Sequence, residues 1–320
     1  MSKALDTHTI YGRIAREKQR EVKLLVFTVL ASGVAVSLVS ALSVVIPSTL
    51  SYLVFYMLIP LFMIGIAAQL GIWTWHVEDR WFQARAVAET SKSLAWEFMM
   101  GSKRILSREL FGKGFIMGDK NGESKNVRSA ETELVRVLKD MRGEFKESLY
   151  PDWDKASVES EISDEMRTMR SLDPSERKSI YLARRLDDQI EWYGKKAKSN
   201  KKMKGYFASL AIALEAVGLG IAIYAIIFDV VPAEGMMALI ATMVSSLVGW
   251  SQSRRYAELV EPYLYTSDTL KELRERFTRV ANEDELVELV EESEHTISRE
   301  HQMWQIRRGV TPRKHLQDTS

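Results

Sequence analysis

From Leu24 to Trp75 the chain carries no Asp, Glu, Lys, Arg or His. A helix that crosses a bilayer needs about 20 consecutive apolar residues, and this block is long enough for two. From Gly205 to Phe228 the only charged residue is Glu215, and from Gly235 to Ser253 there is none. Each of these blocks is long enough for one crossing. The mean hydropathy of -0.15 and the 27% of charged residues conceal this, because the charges lie outside the three blocks. The pattern predicts an all-α membrane protein, with four transmembrane helices as two hairpins plus a cytoplasmic helical bundle.

Turn chemistry divides the spans. Pro47-Ser48-Thr49 is the one turn signal near the middle of the first block, which gives spans near 24–46 and 51–75. Pro60 is placed to kink the second. Trp73, Trp75 and Trp81 suit an interfacial belt at its far end. The second pair, near 205–228 and 235–253, is joined by Asp229-Val230-Val231-Pro232-Ala233-Glu234. The flanks set the orientation. Arg13, Arg16, Lys18, Arg20 and Lys23 precede the first span, Lys195, Lys196, Lys198, Lys201, Lys202 and Lys204 precede the third, and Arg254 and Arg255 follow the fourth. The tight turns carry no positive charge. Positive residues stay inside, so both termini and the middle of the chain are expected in the cytoplasm. The resulting plan is a helix over 1–23, hairpin one over 24–75, a cytoplasmic region over 76–204, hairpin two over 205–253, C-terminal helices over 254–310 and a tail over 311–320.

The lysine run 195–204 is read as a topology signal that also attracts anionic membrane lipid, not as a nucleic-acid patch. Cysteine is absent, which excludes disulfides and thiolate metal sites. The first apolar run is too long, and too far from the start, for a secretory signal.

Outside the blocks the period is helical. Leu134, Leu138, Met141, Phe145 and Leu149 make one stripe. Leu182, Leu186, Ile190 and Tyr193 make a second, and Leu270, Leu273, Phe277 and Val280 a third. Trp81, Ala84, Ala88, Ser91, Ala95 and Phe98 share one face of a helix expected to continue from the second span. These stripes suit the core of a bundle, with subunit packing as the alternative. Asp173-Pro174 is an N-cap followed by proline at the first helical position. Asn282 with Glu285 has capping-box spacing, and Gly309 with Pro312 suits a helix end. The glycine-rich stretch 107–127 is expected to be a loop or small hairpin.

No chemistry of catalysis emerges. Gly112-Lys113-Gly114 with Gly118 lacks the order of a phosphate loop, and His295 and His301 are six apart, on different helix faces. No catalytic, cofactor-binding or metal-ligating residue is assigned, and no cofactor is expected.

Several stretches carry a resemblance. Arg80-Trp81-Phe82-Gln83-Ala84-Arg85-Ala86-Val87-Ala88-Glu89-Thr90 and Lys92-Ser93-Leu94-Ala95-Trp96-Glu97 follow the first hairpin. Arg177-Lys178-Ser179-Ile180-Tyr181 and Arg185-Leu186-Asp187-Asp188-Gln189-Ile190-Glu191-Trp192-Tyr193 precede the second. Ile297-Ser298-Arg299-Glu300-His301-Gln302-Met303-Trp304 lies near the end. Together these resemble the SLATT domain, the SMODS and SLOG-associating two-transmembrane effector domain, in a tandem of two units over about 1–150 and 155–320. The motif residues are Trp81, Arg85, Glu89, Trp96, Arg185, Gln189, Trp192, Tyr193, Glu300, His301 and Trp304. The resemblance implies a pore-forming or membrane-disrupting effector of a bacterial conflict or antiphage system, resident in the inner membrane, homo-oligomeric, and answering to a sensor or nucleotide-second-messenger component. It assigns no catalytic residue. The competing functions are a constitutive channel or transporter, and a non-conducting scaffold.

Glu215 is the carboxylate within the spans. Counting from Lys204 puts it roughly 16 Å deep, near the middle of a hydrocarbon core about 30 Å thick. A carboxylate there should face protein or water rather than lipid. Ala208, Ala211, Gly218 and Ala222 share its face, and Thr242 and Ser245 lie at similar depth on the fourth span. Two roles stay open. In one, a neutral Glu215 hydrogen-bonds to those hydroxyls. In the other, copies from several subunits line a water-filled path. Small-residue stripes, Gly33, Ser37 and Ala41 in the first span and Ala238, Thr242, Ser245 and Gly249 in the fourth, allow close helix approach, within one chain or between chains.

Overall fold

The computed structural model describes residues 6–43, 46–47, 49, 52–102, 130–149, 162–228 and 233–307, with side chains at all of these except 6, 144–149, 233–234 and 299–307. The stretch 107–127, Gly309 and Pro312 lie outside the described residues. Among the described residues every regular element is helical and no strand occurs. In chain order these are α1 Asp6–Leu42, α2 Tyr52–Trp75, α3 Val77–Met99, α4 Ala130–Leu149, α5 Asp164–Ser171, α6 Pro174–Tyr181, a π-helical turn Leu182–Leu186, α7 Asp187–Phe228, α8 Ala233–Arg254, α9 Val260–Arg276 and α10 Glu283–Arg307.

The two halves repeat one plan. A long helix (α1, α7) runs without a break from a charged segment into an apolar block. An apolar helix follows (α2, α8), then an amphipathic helix (α3, α9), then another (α4, α10). The helix expected to continue from the second span into Trp81 is interrupted. His76, between α2 and α3, has φ +45, and Arg255, after α8, has φ +51. A left-handed residue cannot continue a right-handed helix, because its carbonyl leaves the hydrogen-bond ladder.

Among the described residues three helices are long and apolar enough to cross a membrane: Thr7–Leu42, Tyr52–Trp75 and the helical run Pro174–Phe228. Helix α8 is not among them. Thr242, Ser245, Ser246, Ser251 and Gln252 dilute its apolar run.

The chain divides into two compact units that cut across the repeat. The apolar unit is Lys18–Glu78 with Lys195–Tyr263, and the polar unit is Met1–Glu17, Asp79–Gly194 and Leu264–Ser320. Each unit thus draws on both halves of the chain.

In the apolar unit, α1 and α8 meet through small residues. Ser37 and Thr242 share a hydrogen bond of 2.8 Å. A Cβ added to Gly235 would lie 3.0 Å from the Ala41 Cα, and one added to Gly249 would meet Leu30 at 3.5 Å. Phe27 and Trp250 make an edge-on aromatic contact at 6.3 Å. Ser37 and Ala41 of the first span's stripe and Thr242 and Gly249 of the fourth's therefore lie in a seam within one chain, while Ala238 and Ser245 are exposed and Gly33 has nothing near it. Gly65 and Gly71 bring α2 against Ser32 and Leu25 of α1, and Gly218 brings α7 against Ile240 and Met237 of α8. The packing order is α2, α1, α8, α7. Of the large apolar side chains exposed among the described residues, all but Val135, Leu264 and Tyr265 belong to this unit. An apolar surface so extended and contiguous is foreign to a monomer in water and normal against lipid.

In the polar unit the expected stripes supply much of the core, with Leu182, Ile190 and Val280 half-buried. Trp81, Ala84, Ala88, Ser91, Ala95 and Phe98 of α3 are all buried, as are Leu134, Leu138 and Met141 of α4, Leu186 and Tyr193, and Leu270, Leu273 and Phe277. Phe145 and Leu149 are among the residues whose side chains are not described. The caps read from sequence are made. The Asp173 side chain accepts from the Ser175 N–H, with Pro174 at the start of α6. In the capping box of α10, Glu285 N–H donates to Asn282 Oδ1 at 2.9 Å and Ala281 N–H donates to Glu285 Oε2 at 2.9 Å. The end of α3 turns at Gly101, φ +90, where the buried Arg177 donates to the Met100 carbonyl at 2.7 Å. A helix C-terminus presents unpaired carbonyls and a partial negative charge, and a guanidinium satisfies both.

Candidate functional site

Glu215 stands on α7 with its side chain exposed. Ile212, Val217, Leu219, Ile223 and Tyr224 around it are exposed too. Ala211 and Gly218 on its own face are buried, but Ala208 is exposed. The expected pairing with Thr242 and Ser245 is not made. Thr242 Oγ1 donates to the Ala238 carbonyl at 2.9 Å and shares its other bond with Ser37, and Ser245 is exposed. The physical reason is the packing order. Thr242 faces α1, so its hydroxyl serves that seam and not α7. Among the described residues Glu215 has no hydrogen-bond or ion-pair partner.

The second polar site is buried in the polar unit. Arg185 is 1% exposed and Glu294 0%. Arg185 Nε donates to Glu294 Oε1 at 2.9 Å and Nη2 donates to Oε2 at 2.7 Å, a two-bond fork. Tyr181 Oη donates to the same carboxylate at 3.0 Å, and Arg185 Nη2 also reaches Ser93 Oγ at 3.3 Å. Arg185 Nη1 is buried without a partner among the described residues. Trp96 and Phe277 pack on the Tyr181 ring at 5.8 and 5.7 Å between centroids. The π-helical turn is what makes this arrangement possible. In such a turn residues five apart align, so Tyr181 and Leu186 both face the core with Arg185 beside them. Lys92 and His8 are close enough to feel the Arg185 charge. His8 Nδ1 donates to the Ala88 carbonyl at 2.9 Å. Burial, and next the charge of Arg185, hold the Lys92 ammonium below its ordinary range.

The motif residues thus have structural addresses. Trp81, Trp96, Arg185 and Tyr193 are buried, and Arg85, Glu89, Gln189 and Trp192 are half-buried. Trp192 packs edge-on against Tyr193 at 4.9 Å. The side chains of Glu300, His301 and Trp304 lie outside those described. Trp96 and Arg185, one from each half of the chain, join through Tyr181. Sequence reading missed Glu294, and quoted Arg177 within a motif stretch without giving it a role. The signal for Glu294 was present: it stands in register with Leu286, Val290 and Ile297 on the apolar face of α10, all buried.

Two repeated helical hairpins, each followed in the chain by amphipathic helices, with buried motif residues in both halves of the chain, agree with the family comparisons. Residues 10–178 match the family described as SMODS and SLOG-associating 2TM effector domain 3, and residues 181–304 match SMODS and SLOG-associating 2TM effector domain 1. No curated protein and no solved structure matches the chain significantly. The boundary between the two matches falls at the π-helical turn, so Tyr181 and Arg185 open the second domain. The chain belongs to the SLATT family of membrane effectors, as two such domains in tandem.

Proposed function

We propose that the protein is a multi-pass effector of the inner membrane that acts without catalysis, by assembling into an oligomeric pore when an upstream sensor or second-messenger component triggers it. Helices α1, α2, α7 and α8 are its four spans, and both termini and the polar unit are cytoplasmic. The observation that supports a pore is the exposure of Glu215 amid exposed apolar side chains. A charge at the bilayer centre costs roughly 3 kcal/mol or more when it faces lipid. The spans hold no Lys, Arg or His to pair with it in a neighbouring copy. Water is the remaining partner, and copies of α7 around a hydrated path provide it. A ring of carboxylates favours cations.

Reconstituted liposomes test this. Glu215→Gln keeps the size and most hydrogen-bonding capacity but removes the charge. The variant is expected to assemble like the wild type and to lose preference for cations over anions. Unchanged conductance and selectivity in Glu215→Gln would sink the pore reading for this face. No conduction from the triggered, clustered wild type would favour a scaffold.

A further inference from the structure

We propose that Arg20, Lys23 and Arg254 form a binding site for the headgroup phosphate of an anionic phospholipid. Phe27 of α1 and Trp250 of α8 are in edge-on contact, and Lys23 and Arg254 each stand one turn from these rings, so the two helices bring the two cations to one level, where the charge of Arg254 bears on Lys23. Arg20, three residues before Lys23 on α1, adds a third cation. Two of the acids nearby in sequence are engaged elsewhere. Both Glu21 oxygens accept from Lys18 Nζ at 3.1 Å, and Glu258 pairs with Arg255. Lys23 Nζ itself donates to the neutral Gln19 side chain at 3.3 Å.

The position of the cluster selects a lipid over a soluble anion. Lys23 immediately precedes the first apolar block and Arg254 immediately follows the last, so both stand at the level where apolar surface ends. One helical turn from each, four residues along, are Phe27 and Trp250. These two rings touch edge-on at 6.3 Å, and Phe27 and Leu24 are mostly exposed. A cationic pair thus sits beside an open aromatic pair. A ligand that matches both parts has a phosphate and an alkyl chain. Basic pockets between helices at the cytoplasmic side take such headgroups. The site rests on the membrane placement of the apolar unit but not on conduction.

The full-length protein in neutral detergent, titrated with phosphatidylglycerol and with phosphatidylcholine, tests it by counting bound lipid by native mass spectrometry and by melting temperature. Phosphatidylglycerol is expected to bind and stabilise, and phosphatidylcholine is not. Lys23→Gln with Arg254→Gln should weaken phosphatidylglycerol binding roughly fivefold for each charge removed. The control Lys201→Gln with Lys202→Gln removes as much charge from exposed positions outside the cluster and should retain binding close to wild type. Equal losses in the two variants would reduce the site to unspecific attraction. Stabilisation by soluble glycerol phosphate equal to that by lipid would overturn the lipid assignment. Both readouts are independent of ion flux, so loss of selectivity in Glu215→Gln leaves this result untouched.

Discussion

Arg185 and Glu294, 109 positions apart, close a fully buried two-bond fork at 2.9 and 2.7 Å. A buried pair of this kind contributes less than its distances suggest, because both ions lose their hydration. Removing one partner is different, since the other is left charged in the core. Glu294→Ala is expected to destabilise the polar unit by about 3–5 kcal/mol. Arg185→Met combined with Glu294→Leu replaces the pair by apolar volume and should recover most of that loss. Denaturant unfolding of the two variants checks this. A double variant no more stable than Glu294→Ala would mean that the pair, and not its desolvation, dominates.

The α1–α8 seam makes a prediction that the absence of cysteine renders clean. Ser37 and Thr242 bring their hydroxyl oxygens to 2.8 Å. Ser37→Cys with Thr242→Cys should oxidise to a disulfide within one chain. On non-reducing gels the product should run as a single chain of altered mobility. A ladder of covalent dimers in its place would show that these faces join subunits.

Gly101 and Gly143 separate two uses of glycine. Gly101 has φ +90, and a Cβ there would lie 2.5 Å from Arg177 Nη1, whereas a Cβ on Gly143 meets nothing within 4 Å. Gly101→Ala is expected to cost about 1–3 kcal/mol through backbone strain and displacement of Arg177. Gly143→Ala, inside α4, should stabilise by about 0.5–1 kcal/mol. Melting curves of the two variants should move in opposite directions.

The cytoplasmic placement of the termini is read from the Lys and Arg asymmetry, and thiol accessibility tests it. Cysteine at Ser48 or Asp229 should react with an impermeant reagent in intact cells, while cysteine at Ser124 or Thr319 should not. Gly235 is a poor probe position, because Ala41 stands against it. Labelling at Ser124 in intact cells would reverse the topology.

The sequence by itself determined what is local. Charge-free blocks located the apolar helices, because a span must satisfy its backbone internally over a fixed length. The period of Leu134, Leu138 and Met141 marked a core face, and Asp173-Pro174 and Asn282 with Glu285 marked helix starts, because each effect acts within a turn or two. The tertiary structure decided what is not local. It set α1 against α8 through Ser37 and Thr242, which are 205 positions apart, and so left Glu215 on the outside of α7. It also put Glu294 on Arg185 through a π-helical turn that no residue pattern announced. Small residues and single charges are compatible with many partners, and only the three-dimensional packing order selects among them.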